Sequence, residues 1–123
     1  MPSPKKILVV EDEEMLRDMY QQKLEQAGFE VKAVPDAEQA LSQIKKMKPD
    51  LVLLDILLPK KNGLDFLGRI RKDKETSQQK VLAFSNYDDP NAKKIARKLG
   101  VVDYLIKTSF TPAQVVRKVQ QYL

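Results

Sequence analysis

The sequence predicts a doubly wound α/β domain, in which helices cover both faces of a five-stranded parallel sheet. Two observations lead to this prediction: short runs rich in Leu, Ile and Val recur along the 123 residues, and a helical pattern of apolar residues follows each run. Such runs are typical of parallel strands that are buried on both faces, and right-handed crossovers then leave few topologies. The length suits one domain, and 42% hydrophobic with 32% charged residues is an ordinary globular composition.

The predicted elements alternate between strand and helix. The predicted strands are residues 7–10, 29–34, 51–54, 81–84 and 104–106. The first helix is expected over residues 14–27, because apolar residues recur there at helical spacing and Gly28 is typical of the position after a helix. Asp36 followed by Gln39 predicts a capping box at the start of the second helix.

Prolines and glycines mark the remaining helices. Pro59 and Gly63 bracket a turn before the third helix. Pro90 is typical of the first turn of a fourth helix, and Gly100 of its end. Thr111-Pro112 predicts the cap and the first residue of a fifth helix. The residues of the fourth helix that we expect to face inward are Ile95, Ala96 and Leu99.

The composition restricts the chemistry. The chain has no cysteine and no histidine, which excludes disulfides and thiolate sites and removes the commonest general base. Any bound metal must therefore have oxygen ligands, as Mg²⁺ and Ca²⁺ prefer. The sequence lacks a membrane-length apolar run and a signal peptide, which predicts a cytoplasmic protein. The net charge of +5 is spread among acids, so direct binding to nucleic acid or membranes is not expected.

Polar side chains follow four of the predicted strands, at one edge of the sheet. The first strand is followed by Glu11 and Asp12, the third by Asp55, the fourth by Ser85 and the fifth by Lys107. Crowded carboxylates repel one another unless a cation lies between them, and Mg²⁺ binds oxygen ligands while it keeps several waters. The sequence therefore predicts a Mg²⁺ site formed by the acids, with the lysine and the hydroxyl beside it.

These groups suit the transfer of a phosphoryl group to a carboxylate. Such a reaction needs alignment and charge neutralisation more than covalent help. Asp55 would be the nucleophile that forms an acyl phosphate, while Mg²⁺ and Lys107 would offset charge on the phosphoryl oxygens. Each residue has an ordinary alternative explanation, such as acids favoured at a helix N-terminus or a solvated lysine. A phosphoryl-transfer site is indicated because side chains that suit this chemistry follow all four of these strands.

The sequence resembles the receiver domains of two-component response regulators over essentially its whole length. The matching segments are residues 7–12 (ILVVED), 50–55 (DLVLLD), Pro59 with Gly63, residues 84–85 (FS) and residues 103–107 (DYLIK). The resemblance, which extends to the single-domain chemotaxis regulators, implies one receiver domain over residues 1–123. It also implies a flavodoxin-like fold with five helices and the strand order 2-1-3-4-5.

The resemblance assigns roles at the acidic site. Asp55 is the phosphoacceptor. Asp12 binds Mg²⁺ directly, Glu11 binds it through a water molecule, and the backbone carbonyl of Leu57 is the third protein ligand. Lys107 pairs with the phosphoryl group or with the unphosphorylated Asp55.

The resemblance also implies a conformational switch. Ser85 moves toward the phosphoryl group, and Tyr104 changes rotamer with it. An ordinary half-buried strand aromatic remains the alternative explanation for Tyr104.

The implied partners are proteins. The phosphoryl donor is a histidine kinase or a histidine phosphotransfer protein. A downstream target binds the face made of the fourth helix, the fifth strand and the fifth helix, where four basic residues suit an acidic patch. These are Lys93, Lys94, Arg97 and Lys98. We expect a signalling protein that catalyses only its own phosphorylation and dephosphorylation, as a monomer or as a dimer formed on phosphorylation.

Three departures from the family pattern affect the site. Thr108 stands where the family usually has proline after a cis peptide bond, so the loop is either trans and reshaped or cis and held by packing. Asn86 is larger than the usual small residue after the switch hydroxyl. Leu57 and Tyr87 are bulky and would obstruct the water that hydrolyses the acyl phosphate, which predicts a long-lived phosphorylated state.

Other protein classes suit the sequence less well. A flavodoxin needs a glycine- and hydroxyl-rich phosphate loop where this chain has acids, and a haloacid-dehalogenase-type phosphatase needs an acid at Leu57. The chain also lacks a P-loop. A binding module that is never phosphorylated would not need Asp12, Asp55 and Lys107. The sequence leaves open whether the receiver stands alone or belongs to a longer regulator.

Overall fold

The computed structural model describes residues 3–58, 62–86 and 88–123, and in these residues strands and helices alternate as predicted. The strands are β1 Lys6–Val10, β2 Glu30–Val34, β3 Leu51–Asp55, β4 Val81–Ser85 and β5 Asp103–Ile106. The helices are α1 Glu14–Gln26, α2 Ala37–Met47, α3 Gly63–Lys72, α4 Pro90–Lys98 and α5 Pro112–Gln121, and a 3-10 turn covers Lys107–Ser109. The sheet is parallel throughout, with the order β2-β1-β3-β4-β5, which confirms the predicted fold.

Alternate residues of each strand enter two separate hydrophobic cores. In β4, Leu82 and Phe84 join a core with α1 and α5, while Val81 and Ala83 join a core with α2, α3 and α4. Since side chains alternate along a strand, neighbouring residues at a strand end point to opposite faces of the sheet. This alternation decides which polar groups meet at the sheet edge.

Side-chain caps fix the starts of four helices. Asp36 accepts the N–H of Gln39 as predicted, although the Gln39 amide bonds to the Asp36 carboxylate instead of closing a capping box through the backbone. Thr111 forms a complete capping box with Gln114, ahead of Pro112. Two further caps, Asn62 before α3 and Asp89 before α4, were not identified in the sequence.

The prediction for the inward face of α4 was wrong at Ile95. Ile95 is 38% exposed, while Ala92 and Ala96 are buried and Leu99 packs against the core. The inward residues follow the spacing i, i+4 and i+7, and Ile95 lies about 100° around the helix from Ala96. The predicted turn residue Pro59 lies outside the described residues. Among the described helices, none has the length and apolar character to cross a membrane.

Candidate functional site

The carboxyl ends of β1, β3 and β5 bring three charged side chains together. Glu11 follows β1, Asp55 ends β3 and Lys107 follows β5. Each lies two residues beyond a strand residue that faces the α1 and α5 core, so the alternation directs all three to that side of the sheet. The hydrogen bonds of Lys107 show the result: Nζ donates to Asp55 Oδ2 at 2.9 Å and also to Glu11 Oε1.

The two acids bound by Lys107 are almost completely buried. Glu11 is 1% exposed and Asp55 is 4% exposed. Burial alone would lower the pKa of Lys107, but its hydrogen bonds to Glu11 and Asp55 outweigh this effect and raise that pKa. The lysine is therefore a firmly held ammonium, which offsets part of the negative charge.

Asp12 completes a group of three acids. Glu11, Asp12 and Asp55 each offer a carboxylate oxygen within 4.8 Å of the others. Burial raises the pKa of Asp12, and a hydrogen bond with Glu11 and the charge of Glu11 raise it further. Three carboxylates and one ammonium carry a formal charge of −2, so this oxygen-only donor set fits a divalent hard cation such as Mg²⁺.

Backbone groups and one arginine hold the acids in place. The N–H of Glu13 donates to Glu11 Oε2 at 3.1 Å, and the N–H of Leu57 donates to Asp55 Oδ1 at 3.0 Å. Arg17, in the first turns of α1, donates to the carbonyl oxygens of Glu11 at 3.1 Å and Asp12 at 3.2 Å. The sequence did not identify Arg17, because bonds to backbone carbonyls leave no pattern of residue types.

The two predicted switch residues lie on the other side of the sheet. Tyr104 in β5 belongs to the core with α2, α3 and α4, and the alternation of side chains after Ala83 directs Ser85, the buried last residue of β4, to the same side. The strand register pairs Ser85 with Ile106 and Tyr104 with Ala83. The structure thus brings Glu11, Asp12, Asp55 and Lys107 together, while Ser85 and Tyr104 share the neighbouring α4 side.

The departures from the family pattern can be located in part. The described chain contains no cis peptide bond, so the bond before Thr108 is trans and the loop is reshaped into the Lys107–Ser109 turn. Asn86 is exposed, and Leu57, which lies beside Asp55, is 49% exposed. Tyr87 lies outside the described residues.

Comparisons with known proteins agree with this fold. Residues 7–120 match the family model of the response regulator receiver domain. The alkaline phosphatase synthesis transcriptional regulatory protein PhoP of Bacillus subtilis is 36% identical over 119 residues, which are 97% of this chain and 48% of PhoP. A 14.6 kDa protein of Leptolyngbya boryana is 33% identical, over 94% of this chain and 88% of that protein. The chain thus spans about half the length of PhoP.

Solved structures show the same architecture. The chemotaxis protein CheY4 of Vibrio cholerae superimposes with a TM-score of 0.89 at 26% identity, over 98% of this chain and 99% of that one. A CheY-like receiver domain protein of Methanospirillum hungatei gives a TM-score of 0.89 at 27% identity, over 97% of this chain and 93% of that one.

Proposed function

Because the chain belongs to the response regulator receiver family, we propose that it is a phosphoacceptor module of a two-component phosphorelay. Asp55 takes the phosphoryl group from a phosphohistidine of a histidine kinase or a histidine phosphotransfer protein. The observation that carries the proposal is the position of Asp55, a buried carboxylate at the end of β3 that shares Lys107 with Glu11. Burial of such a group is costly and suggests a function that needs it.

The transfer requires one bond to form and one to break. An oxygen of the Asp55 carboxylate attacks phosphorus, the P–N bond to the donor imidazole breaks, and its electron pair returns to the imidazole nitrogen. The Leu57 N–H orients one carboxylate oxygen, and the Lys107 ammonium lies 2.9 Å from the other. Both groups orient the carboxylate before the reaction, and the Lys107 ammonium would also offset charge on the phosphoryl oxygens.

Glu11, Asp12 and Asp55, with the backbone carbonyl of Leu57, would hold Mg²⁺. When bound, Mg²⁺ neutralises charge on the phosphoryl oxygens. Arg17 supports these ligands by fixing the backbone at Glu11 and Asp12. The protein is then a signalling module whose own phosphorylation and dephosphorylation are the only reactions it catalyses.

Phosphorylation would act by shifting a conformational equilibrium of Ser85 and Tyr104. A downstream protein binds the favoured state through the face of α4, β5 and α5. The exposed part of this face is basic, which suits an acidic partner. Lys93 is already paired with Asp88 at 2.6 Å, so the charge available to a partner comes mainly from Lys94, Arg97 and Lys98.

The remaining expectations form part of the same proposal. Residues 1–123 act as one receiver domain in the cytoplasm, as a monomer or as a dimer formed on phosphorylation, without direct binding to nucleic acid or membrane.

Mass spectrometry of the intact protein tests the phosphoacceptor assignment. Treatment with acetyl phosphate and Mg²⁺ should add one phosphoryl group to the wild type and none to Asp55→Asn. A phosphoryl adduct that persists in Asp55→Asn would refute the assignment. In the presence of Mg²⁺, beryllofluoride should likewise bind at Asp55 of the wild type and protect that residue from acetyl phosphate. A binding module that is never phosphorylated would show neither the adduct nor the protection.

The lifetime of the acyl phosphate is a separate part of the proposal. Leu57 lies beside Asp55 and is half-exposed, so it is available to shield the acyl phosphate from water. The sequence predicts the same role for Tyr87. The double variant Leu57→Asn, Tyr87→Ala should therefore lose its phosphoryl group faster than the wild type after the donor is removed. Equal decay rates would exclude the shielding.

A further inference from the structure

We propose that Phe84 is a positioning residue for Lys107, and that the face of its ring, supported by Tyr20, holds the ammonium beside Asp55. The inference rests on the proposed phosphoryl transfer, and it adds a residue that supplies no ligand and no nucleophile to that reaction. In the sequence, Phe84 is only one apolar residue of a predicted buried strand.

The geometry places the ammonium over the ring. Lys107 Nζ lies 4.7 Å from the centroid of the Phe84 ring. Cations are attracted to aromatic faces within about 6 Å of the centroid, and the attraction is strongest where water is excluded. Phe84 is completely buried and the Lys107 side chain is nearly so. Both the distance and the exclusion of water therefore favour a strong attraction between the Lys107 ammonium and the Phe84 ring.

Tyr20 fixes the orientation of the ring. Its own ring, on α1, meets Phe84 edge to face, with centroids 5.1 Å apart and an interplanar angle of 88°. Edge-to-face packing is a preferred arrangement of aromatic pairs, and Tyr20 is itself buried. The strand register adds a second constraint, since it pairs Phe84 with Asp55 on one side and Leu105 on the other. The ring thus lies between the acid and the strand that leads to Lys107.

The ring contact differs in kind from the other two contacts of the ammonium. An ammonium has three N–H donors, and the carboxylates of Glu11 and Asp55 accept two hydrogen bonds from it. Both carboxylates also belong to the candidate metal site, and Asp55 is the proposed phosphoacceptor. The bond from Lys107 to Asp55 must change when Asp55 becomes an acyl phosphate, whereas the Phe84 ring is uncharged and binds neither metal nor phosphorus. The ring can therefore hold the ammonium while its bond to Asp55 changes.

The loop after β5 makes such a support useful. Lys107 begins the Lys107–Ser109 turn and is followed by Thr108, which restricts the backbone less than proline does. A side-chain contact that holds Nζ near Asp55 compensates for the freedom of this backbone.

Replacement of the ring gives a direct test with a matched control. Phe84→Leu removes the aromatic face, while Phe66→Leu removes the same atoms from an equally buried position in the other core. The rate constant for phosphorylation by acetyl phosphate with Mg²⁺ should fall about 2–30-fold in Phe84→Leu, the range of one cation–π contact. Phe66→Leu should lower stability without this loss. Equal rates in Phe84→Leu and wild type, or equal losses in both variants, would overturn the inference.

A second variant separates the electrostatic effect from packing. Pentafluorophenylalanine at position 84 keeps the ring but reverses the charge distribution of its face, so it should slow phosphorylation as Phe84→Leu does. The same substitution at position 66 should leave the rate unchanged. A fluorinated ring at position 84 that reacts at the wild-type rate would show that Phe84 acts through packing alone.

A spectroscopic measurement tests the contact independently of the reaction. In the unphosphorylated, Mg²⁺-free protein, the Lys107 Hε protons should be shifted upfield by the ring current of Phe84, and the shift should vanish in Phe84→Leu. Unshifted Hε protons in the wild type would refute the contact. If acetyl phosphate fails to modify the wild type, the proposed function fails, and this measurement still decides the position of Lys107.

Discussion

Arg17 acts on the acidic site through the backbone. Its guanidinium donates to the carbonyl oxygens of Glu11 and Asp12, the two residues whose carboxylates precede α1. It thereby fixes the direction in which both carboxylates leave the chain. This geometric effect should favour the binding of a metal ion by the two carboxylates. The positive charge of Arg17 should weaken that binding, since a cation near the site disfavours a second one.

The two effects of Arg17 predict opposite results for Arg17→Met. We expect the geometric effect to prevail and the affinity for Mg²⁺ to fall about tenfold, since hydrogen bonds from a charged group contribute roughly 1.5–3 kcal/mol. A calorimetric titration of the unphosphorylated protein with Mg²⁺ measures this affinity. Lys23→Met, at the exposed end of the same helix, removes a charge without touching the acids and should change the affinity little. Tighter binding by Arg17→Met would show that charge prevails.

The site residues that the sequence predicted share one property. Glu11, Asp12, Asp55 and Lys107 carry charged groups directly after predicted strands, and the geometry of parallel sheets brings such positions together. Arg17 and Phe84 were missed because they act through carbonyl bonds and a ring face. Neither contact follows from residue type or spacing, because each depends on where a side chain lies in the folded domain.

At the scale of elements, the start of α3 depends on one close approach of the backbone. The N–H of Gly63 donates to the carbonyl of Ile56 at 2.7 Å. A Cβ atom at Gly63 would lie 2.7 Å from the Asp55 carbonyl oxygen and 2.8 Å from Ile56 Cα. Both are backbone atoms and cannot move aside as a side chain can. The glycine therefore allows α3 to begin directly against the end of the strand that carries Asp55.

Gly63→Ala should therefore destabilise the protein, by about 1–3 kcal/mol as for other overpacked sites. Gly68→Ala is the matched control, because it lies in the same helix and its Cβ would meet nothing within 4 Å. Alanine is the better helix former, so Gly68→Ala should raise stability by about 0.5–1 kcal/mol. Urea unfolding followed by circular dichroism measures both changes. If the free energy of unfolding changed in the same direction in both variants, the close approach of Gly63 to the backbone of Asp55 and Ile56 would be contradicted.

Element positions were more predictable than element faces. The predicted strands agree with the observed ones to within one residue at each end, because apolar runs and turn residues mark them. The inward face of α4 was less predictable, because small alanines form most of it and the larger Ile95 is exposed. A prediction from size and hydrophobicity alone therefore placed Ile95 on the inward face, although it is exposed.

At the scale of the whole molecule, the sheet separates two sets of residues that lie next to each other in the chain. Phe84 faces α1 and α5 and contacts Lys107, while Ser85, the next residue, follows the alternation to the side of α4. The number of strands and their parallel arrangement could be predicted from hydrophobic runs. Their order came from the family resemblance, because apolar runs alone do not specify which strands are neighbours.

The free energy of unfolding of the whole molecule should depend on pH in the alkaline range. The Tyr122 hydroxyl donates to Asp103 Oδ2 at 2.8 Å, which joins the end of α5 to β5. This hydrogen bond, with burial and the charge of Asp103, raises the pKa of Tyr122 above 10.0. Burial raises the pKa of Tyr20 in the same direction. The folded state therefore holds these protons more tightly than the unfolded chain does.

A group with a raised pKa contributes stability that is complete below its unfolded pKa and is lost as the pH rises through its folded pKa. The free energy of unfolding should thus decline above about pH 10, the ordinary pKa of tyrosine. Tyr122→Phe should be less stable than the wild type at pH 8, and this difference should shrink above pH 10. Urea unfolding of both proteins without Mg²⁺, from pH 8 to the highest pH at which the wild type still folds, measures the difference in their free energies of unfolding. Since Tyr20 is present in both proteins, a difference that stays constant with pH would show that the Tyr122 proton is not linked to folding.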